Sequence, residues 1–168
     1  MSGEPFAFAR ANAFQRAMRR LAGSGPGSWF FARALHHVDR PLFRLTRGRA
    51  TFGSLVSGLP VVMLTTTGAR TGKPRTVPLL GLPTADGLAV IGSNWGRPGP
   101  PAWDRNLRAE PAASVEIGRH RRPVRAVEAE GERRERIWRA GIEIYPGFSQ
   151  YAARAADRHF RVYVLEPA

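Results

Sequence analysis

From Pro60 to Leu80 the chain passes from an uninterrupted apolar run, Pro60 to Thr67, through Gly68-Ala69-Arg70-Thr71-Gly72-Lys73, and out through Pro74-Arg75 into Thr76-Val77-Pro78-Leu79-Leu80. This stretch allows little but strand, tight turn, strand. Pro74 lacks an N–H and has a locked φ, so no helix can start behind the glycines. The nucleotide-triphosphate loop is excluded as well: it needs four residues between its glycines and Ser or Thr after the lysine. Here three residues separate Gly68 from Gly72, and Pro74 follows Lys73. A glycine-bearing turn with three cations can bring main-chain N–H groups and forked arginine donors onto one anion. On the residues alone the segment is either such a cradle or a solvated hairpin tip.

Further short runs rich in Val, Ile and Leu predict strands near Pro60 to Thr66, Arg75 to Leu82, Leu88 to Gly92, Ala113 to Ile117, Val124 to Glu128 and Arg161 to Leu165. Asp86-Gly87 and Gly118-Arg119 read as hairpin turns. The proline-rich Arg97 to Pro101 precedes a short helix, Ala102 to Ala109, stopped by Pro111. Gly131 opens a helix through Ile144, and Tyr145-Pro146 ends it before a second helical stretch, Phe148 to Asp157. Many short strands with helices inserted late predict an α+β fold rather than a doubly wound parallel sheet.

The 168 residues suit one domain with an appendage. With no cysteine in the chain, disulfides, thiolate metal sites and thiol catalysis are excluded. His36, His37, His120 and His159 are not spaced to share a face with a carboxylate, so no metal is expected. The net charge is +13, and Lys73 is the only lysine. Nine arginines stand against Glu4 and Asp39 in residues 1–58, so the excess is concentrated ahead of the predicted strands. Ala7, Ala11, Phe14, Met18 and Leu21 fall on one side of a helix and Arg16, Arg19 and Arg20 on the other, the pattern of an interfacial helix. Gly23-Ser24-Gly25-Pro26-Gly27 follows as a hinge, which divides the chain into a basic arm, 1–27, and a domain, 28–168. Ser28 caps a second predicted helix to about His37, and a short helical turn follows from Leu42 to Arg47. The arm either lies on an anionic membrane surface through residues 1–25, packs on the strand-rich domain, or is a frayed tail. A nucleic-acid partner, suggested by Arg119-His120-Arg121-Arg122, is disfavoured because no aromatic-basic strand motif accompanies it. The opening residues lack a secretory signal's apolar core and cleavage site, which predicts a cytoplasmic protein, with the arm peripheral on the inner face of the membrane if it binds lipid.

Four blocks resemble the deazaflavin-dependent nitroreductases, which include the F420H2-dependent quinone reductases. They are Leu64-Thr65-Thr66-Thr67-Gly68 with Arg70-Thr71-Gly72 and Pro74-Arg75; Pro78-Leu79; Gly92-Ser93 with Pro101-Ala102-Trp103 and Asn106-Leu107; and Tyr145-Pro146 through Tyr151, closing in Asp157-Arg158 and Val164-Leu165-Glu166-Pro167. Order and spacing match from roughly Asp39 to Pro167. The resemblance implies a mostly antiparallel split β-barrel of the FMN-binding type, with N-terminal helices and late helical insertions. Its members bind coenzyme F420 and use the reduced form as a hydride donor, so the resemblance favours F420 over FMN as the coenzyme of this chain.

Carried over, the anionic tail of F420 falls to Thr67, Gly68, Arg70, Thr71, Gly72, Lys73 and Arg75, with Pro78, Ser93, Asn94, Trp103 and Asn106 flanking the rest of the coenzyme. Ser93, Tyr145 and Tyr151 become the catalytic candidates, since a hydroxyl can hydrogen-bond a developing oxyanion or deliver a proton. Leu80 and Phe148 line the acceptor side and stand where some members place tyrosines, while Asn94 replaces a common lysine. The implied reaction reduces a quinone, nitroaromatic or activated alkene, in a monomer or homodimer. The competing expectations are a non-catalytic F420 or flavin carrier and, behind it, the nucleic-acid module.

Overall fold

The computed structural model describes residues 61–85, 87–118, 120–155 and 159–168. The predicted arm, hinge and leading helices lie outside the described residues, as do Asp86, Arg119 and Asp157. Seven strands form one sheet in the order β2-β1-β5-β6-β7-β4-β3, and every pairing is antiparallel. In chain order they are β1 (Val61–Thr67), β2 (Pro74–Leu80), β3 (Leu82–Thr84), β4 (Gly87–Ile91), β5 (Ala112–Ile117), β6 (His120–Glu128) and β7 (Val162–Pro167). Three helices accompany them among the described residues: α1 (Ala102–Ala109), α2 (Gly131–Ile144) and α3 (Gly147–Arg154).

The predicted strand from Arg75 to Leu82 is broken at Gly81, and that break shapes the sheet. β2 and β3 are its two edges, yet only Gly81 lies between them along the chain. The sheet must therefore curl until its edges nearly meet. A Cβ at residue 81 would stand 2.8 Å from Val62 Cγ1 and 2.9 Å from Leu88 Cδ1, so only glycine fits at the bend. The last predicted strand but one also begins earlier, at His120, because Arg121, Arg122 and Pro123 pair with Glu116, Val115 and Ser114 of β5 despite their polarity.

Burial explains why two segments carry no polar alternation. In β4, Leu88 and Val90 belong to a core inside the curled sheet, while Ala89 and Ile91 belong to a second core under the helices. In β7, Tyr163 and Leu165 face the first core, and Val162 and Val164 the second. A strand covered on both sides has no solvent face and reads as a continuous apolar run. The inner core adds Val62, Leu64, Trp103, Leu107, Val115 and Val124; the outer one adds Leu82, Ile137, Tyr145, Phe148, Tyr151 and Phe160. Each fully buried large side chain contributes about 1.5–3 kcal/mol, so both layers are needed to hold the curl.

Candidate functional site

The basic turn is closed by its own backbone. The Gly68 amide donates to the Lys73 carbonyl (2.9 Å), and the Gly68 carbonyl accepts from the amides of Thr71 (3.0 Å) and Gly72 (2.8 Å). Thr65 Oγ1 meets Thr76 Oγ1 at 2.8 Å just inside it. Arg70, Thr71, Lys73 and Arg75 project into solvent, and Thr67 at the end of β1 is also exposed.

Helix α1 fastens this turn. The Asn106 side chain accepts from the Ala69 amide (3.0 Å) and donates to Thr66 Oγ1 (2.9 Å), and Asn106 is only 7% exposed. The structure thus gives Asn106 a bracing partner on each side of its amide. Trp103, on the same helix, packs edge-on to Tyr163 at 5.9 Å in the inner core. Between them lies Asp104, 1% exposed, which accepts from the Tyr163 hydroxyl at 2.5 Å and pairs with Arg161 at 3.5 Å; Arg161 also reaches Glu128 at 3.2 Å. Burial, and then the bond to Asp104, hold the Tyr163 hydroxyl protonated well above the usual phenol range. This anchor of α1 to β7 was not foreseen from sequence. Its signal was a carboxylate between Trp103 and Leu107 on the short helix's packed face, where a charge requires a donor.

A second group gathers at α3. The Tyr145 and Tyr151 hydroxyls lie 2.7 Å apart, with the residues 6% and 2% exposed. Phe148 stands perpendicular to Tyr145 at 5.3 Å, and Leu80 packs on the same cluster. Residue 147 must be glycine, since a Cβ there would fall 2.3 Å from the Tyr145 ring. Burial raises the pKa of both phenols; the Arg154 charge opposes this, and in Tyr151 the neighbouring Tyr145 adds to the rise. Both hydroxyls are therefore neutral at working pH. The two hydroxyls thus share one hydrogen bond between neutral phenols.

Ser93, 8% exposed, follows β4 and opens a strained turn, Asn94–Gly96. Asn94 and Trp95 have φ of 49° and 58°, a left-handed conformation that costs about 1–2 kcal/mol for a residue with a side chain and is tolerated best by asparagine. Asn94 donates from Nδ2 to the Gly99 carbonyl (3.1 Å), and Gly96 N–H to the Ser93 carbonyl (2.9 Å). Trp95 and Tyr151 rings meet at 6.0 Å, and Arg154 lies over the Tyr151 ring at 5.0 Å.

The predicted residues therefore form two groups. Gly68, Arg70, Thr71, Gly72, Lys73 and Arg75 stand with Asn106 at one end of β2; Leu80, Phe148, Tyr145 and Tyr151 stand at the other, with Ser93 leading into the Trp95 contact. Pro78 lies between, paired with Met63. Seven residues of β2 separate the ends by roughly 20 Å at about 3.3 Å per residue. A ligand engaging both must be long, anionic at one end and planar or apolar at the other.

A curled antiparallel sheet with late helices defines a split β-barrel of the FMN-binding-like type. HutZ of Vibrio cholerae shares the fold at 15% identity and a TM-score of 0.50, over 77% of this chain and 90% of its own. The family F420H(2)-dependent quinone reductase matches residues 40–167, and the chain belongs to that family. A solved F420-H2 dependent reductase (FDR-A) is 39% identical with a TM-score of 0.58, covering 64% of this chain and 94% of its own. A solved structure described as a domain-swapped dimer is 34% identical with a TM-score of 0.61, covering 84% of this chain and all (100%) of its own. A Mycobacterium tuberculosis protein provisionally named as an F420H(2)-dependent quinone reductase is 32% identical over 109 residues, which is 65% of this chain and 91% of that protein. The protein is an F420-dependent oxidoreductase on a split barrel.

Proposed function

We propose that the protein reduces a small planar acceptor, a quinone in the first instance, with reduced F420 held lengthwise along β2. The observation that carries this reading is the separation of an exposed cationic turn from a buried pair of neutral phenols by the length of one strand. F420 suits that layout because its phosphate and acidic tail are remote from its ring. Arg70, Lys73 and Arg75 would hold the tail through charge-assisted hydrogen bonds, each worth about 1.5–3 kcal/mol. When bound, the coenzyme supplies the hydride.

The chain's own residues would do the rest. Trp103 and the braced turn set the depth at which the ring lies, and the apolar wall of Leu80 and Phe148 keeps water from the acceptor. As the acceptor gains a hydride, negative charge develops on its oxygen; a hydroxyl from the tyrosine pair or Ser93 donates to that oxygen and then yields the proton. Nitroaromatics and activated alkenes would use the same contacts. The decisive assay follows the absorbance of reduced F420 on adding each acceptor class. Oxidation with turnover supports the reductase reading, whereas tight binding of F420 with no oxidation by any acceptor would reduce the protein to a carrier.

A further inference from the structure

We propose that Trp95 sets acceptor specificity, its indole forming the aromatic wall on which a planar ring acceptor stacks beside Ser93 and Tyr151. The inference rests on the reductase reading above and adds to it a residue outside the tyrosine group. Trp95 is a bulky side chain at φ 58°, ψ 24°, directly between Asn94 at φ 49° and Gly96 at φ 71°. Asparagine and glycine adopt this conformation readily; tryptophan does not. The bonds that shape the turn run from Asn94 Nδ2 to Gly99, from the Gly96 amide to Ser93, and from the Arg97 amide to Asn94. None of them involves the indole, so a glycine at residue 95 would form the same turn with less strain.

Deep burial does not offset the strain either. Trp95 is half-buried on the rim of the outer core, touching Tyr151 at a tilted 6.0 Å, while Tyr145, Phe148 and Tyr151 are buried. What the strained backbone achieves is orientation. The turn is locked onto α3, since a Cβ at residue 96 would lie 3.0 Å from both Tyr151 Cα and its carbonyl oxygen, and Arg154 Nη2 reaches the Trp95 carbonyl at 3.5 Å. An indole fixed in this way two residues after Ser93 offers a flat apolar face next to the hydroxyl groups proposed to serve the acceptor. Strain kept at a side chain that packs on the core by only part of its surface is expected where geometry serves a ligand.

The test compares wild type, Trp95→Phe and Trp95→Leu with a planar aromatic acceptor, menadione, and a compact non-aromatic one, cyclohex-2-enone. In Trp95→Leu, kcat/KM for menadione should fall about tenfold, mostly through KM, while that for cyclohex-2-enone and the affinity for F420 stay within about twofold; Trp95→Phe should recover most of the loss. Equal losses for both acceptors would show a merely structural tryptophan and overturn the proposal, as would an unchanged menadione KM in Trp95→Leu. Equilibrium dialysis of menadione gives a readout independent of turnover. If wild type oxidises reduced F420 with neither acceptor, the reductase reading fails, and dialysis alone decides: weaker menadione binding by Trp95→Leu upholds the stacking wall, and equal binding overturns it.

Discussion

At the scale of single residues, the proposed chemistry depends on hydroxyls kept neutral by burial. Tyr145→Phe removes one oxygen, breaks the 2.7 Å bond to Tyr151 and leaves the ring contacts with Phe148 in place. Hydride transfer to a quinone should slow by roughly 10² if the pair is the main proton donor, with F420 affinity unchanged. Stopped-flow oxidation of reduced coenzyme measures this, and an unaltered rate would mean that solvent supplies the proton. The same phenols make a statement about pH. Tyr145, Tyr151 and Tyr163 all have pKa values raised above the ordinary 10.0, so folding favours their protonated forms. Their contribution to stability is fully present below the unfolded value and is lost as pH rises above it, because the unfolded chain releases protons that the folded one retains. Chemical denaturation from about 2 pH units below the ordinary phenol value to about 1 above it should show stability falling only at the alkaline end. Tyr163→Phe should flatten that fall; an equally steep fall in the variant would remove Tyr163 from the account.

At the scale of elements, the site is set by where strands end and what braces them. Gly81 turns the chain from one sheet edge to the other, so Gly81→Ala should overpack Val62 and Leu88 and cost about 1–3 kcal/mol in stability. Thermal unfolding checks it, and a variant as stable as wild type would show that the bend has slack. Most of this layer is legible in the residues. Helix α1 begins and ends as Pro101 and Pro111 predict, and the strand–turn–strand around Gly68 follows from Pro74 and the alternation after it. Two things are not legible. The break at Gly81 looks like a tolerated glycine inside an apolar run, since the neighbours that forbid a side chain come from β1 and β4. The Asp104, Tyr163 and Arg161 cluster joins residues up to 59 apart, a distance at which no local pattern operates. Tyr145 and Tyr151 are recognisable as candidates, but their mutual bond depends on how α2 hands over to α3.

At the scale of the whole molecule, charge and length divide the work. No helix among the described residues is long and apolar enough to cross a membrane. The arginine-rich residues 1–27 remain a proposed arm: removing 1–25 should leave reduction of water-soluble acceptors nearly intact and lower sedimentation with anionic vesicles. Equal sedimentation of both forms, or none of either, would end the case for a membrane contact. The central claim is that one extended coenzyme lies along β2, its anionic tail in the basic turn and its ring by the tyrosines. Isothermal titration of an Arg70→Ala, Arg75→Ala double variant with F420, and with the deazaflavin chromophore lacking the phosphate and acidic tail, tests this most directly. F420 affinity should fall well over tenfold, as expected for the loss of two charge-assisted contacts of about 1.5–3 kcal/mol each, while the tail-less chromophore should bind as it does to wild type. A folded double variant that keeps wild-type affinity for F420 would contradict it.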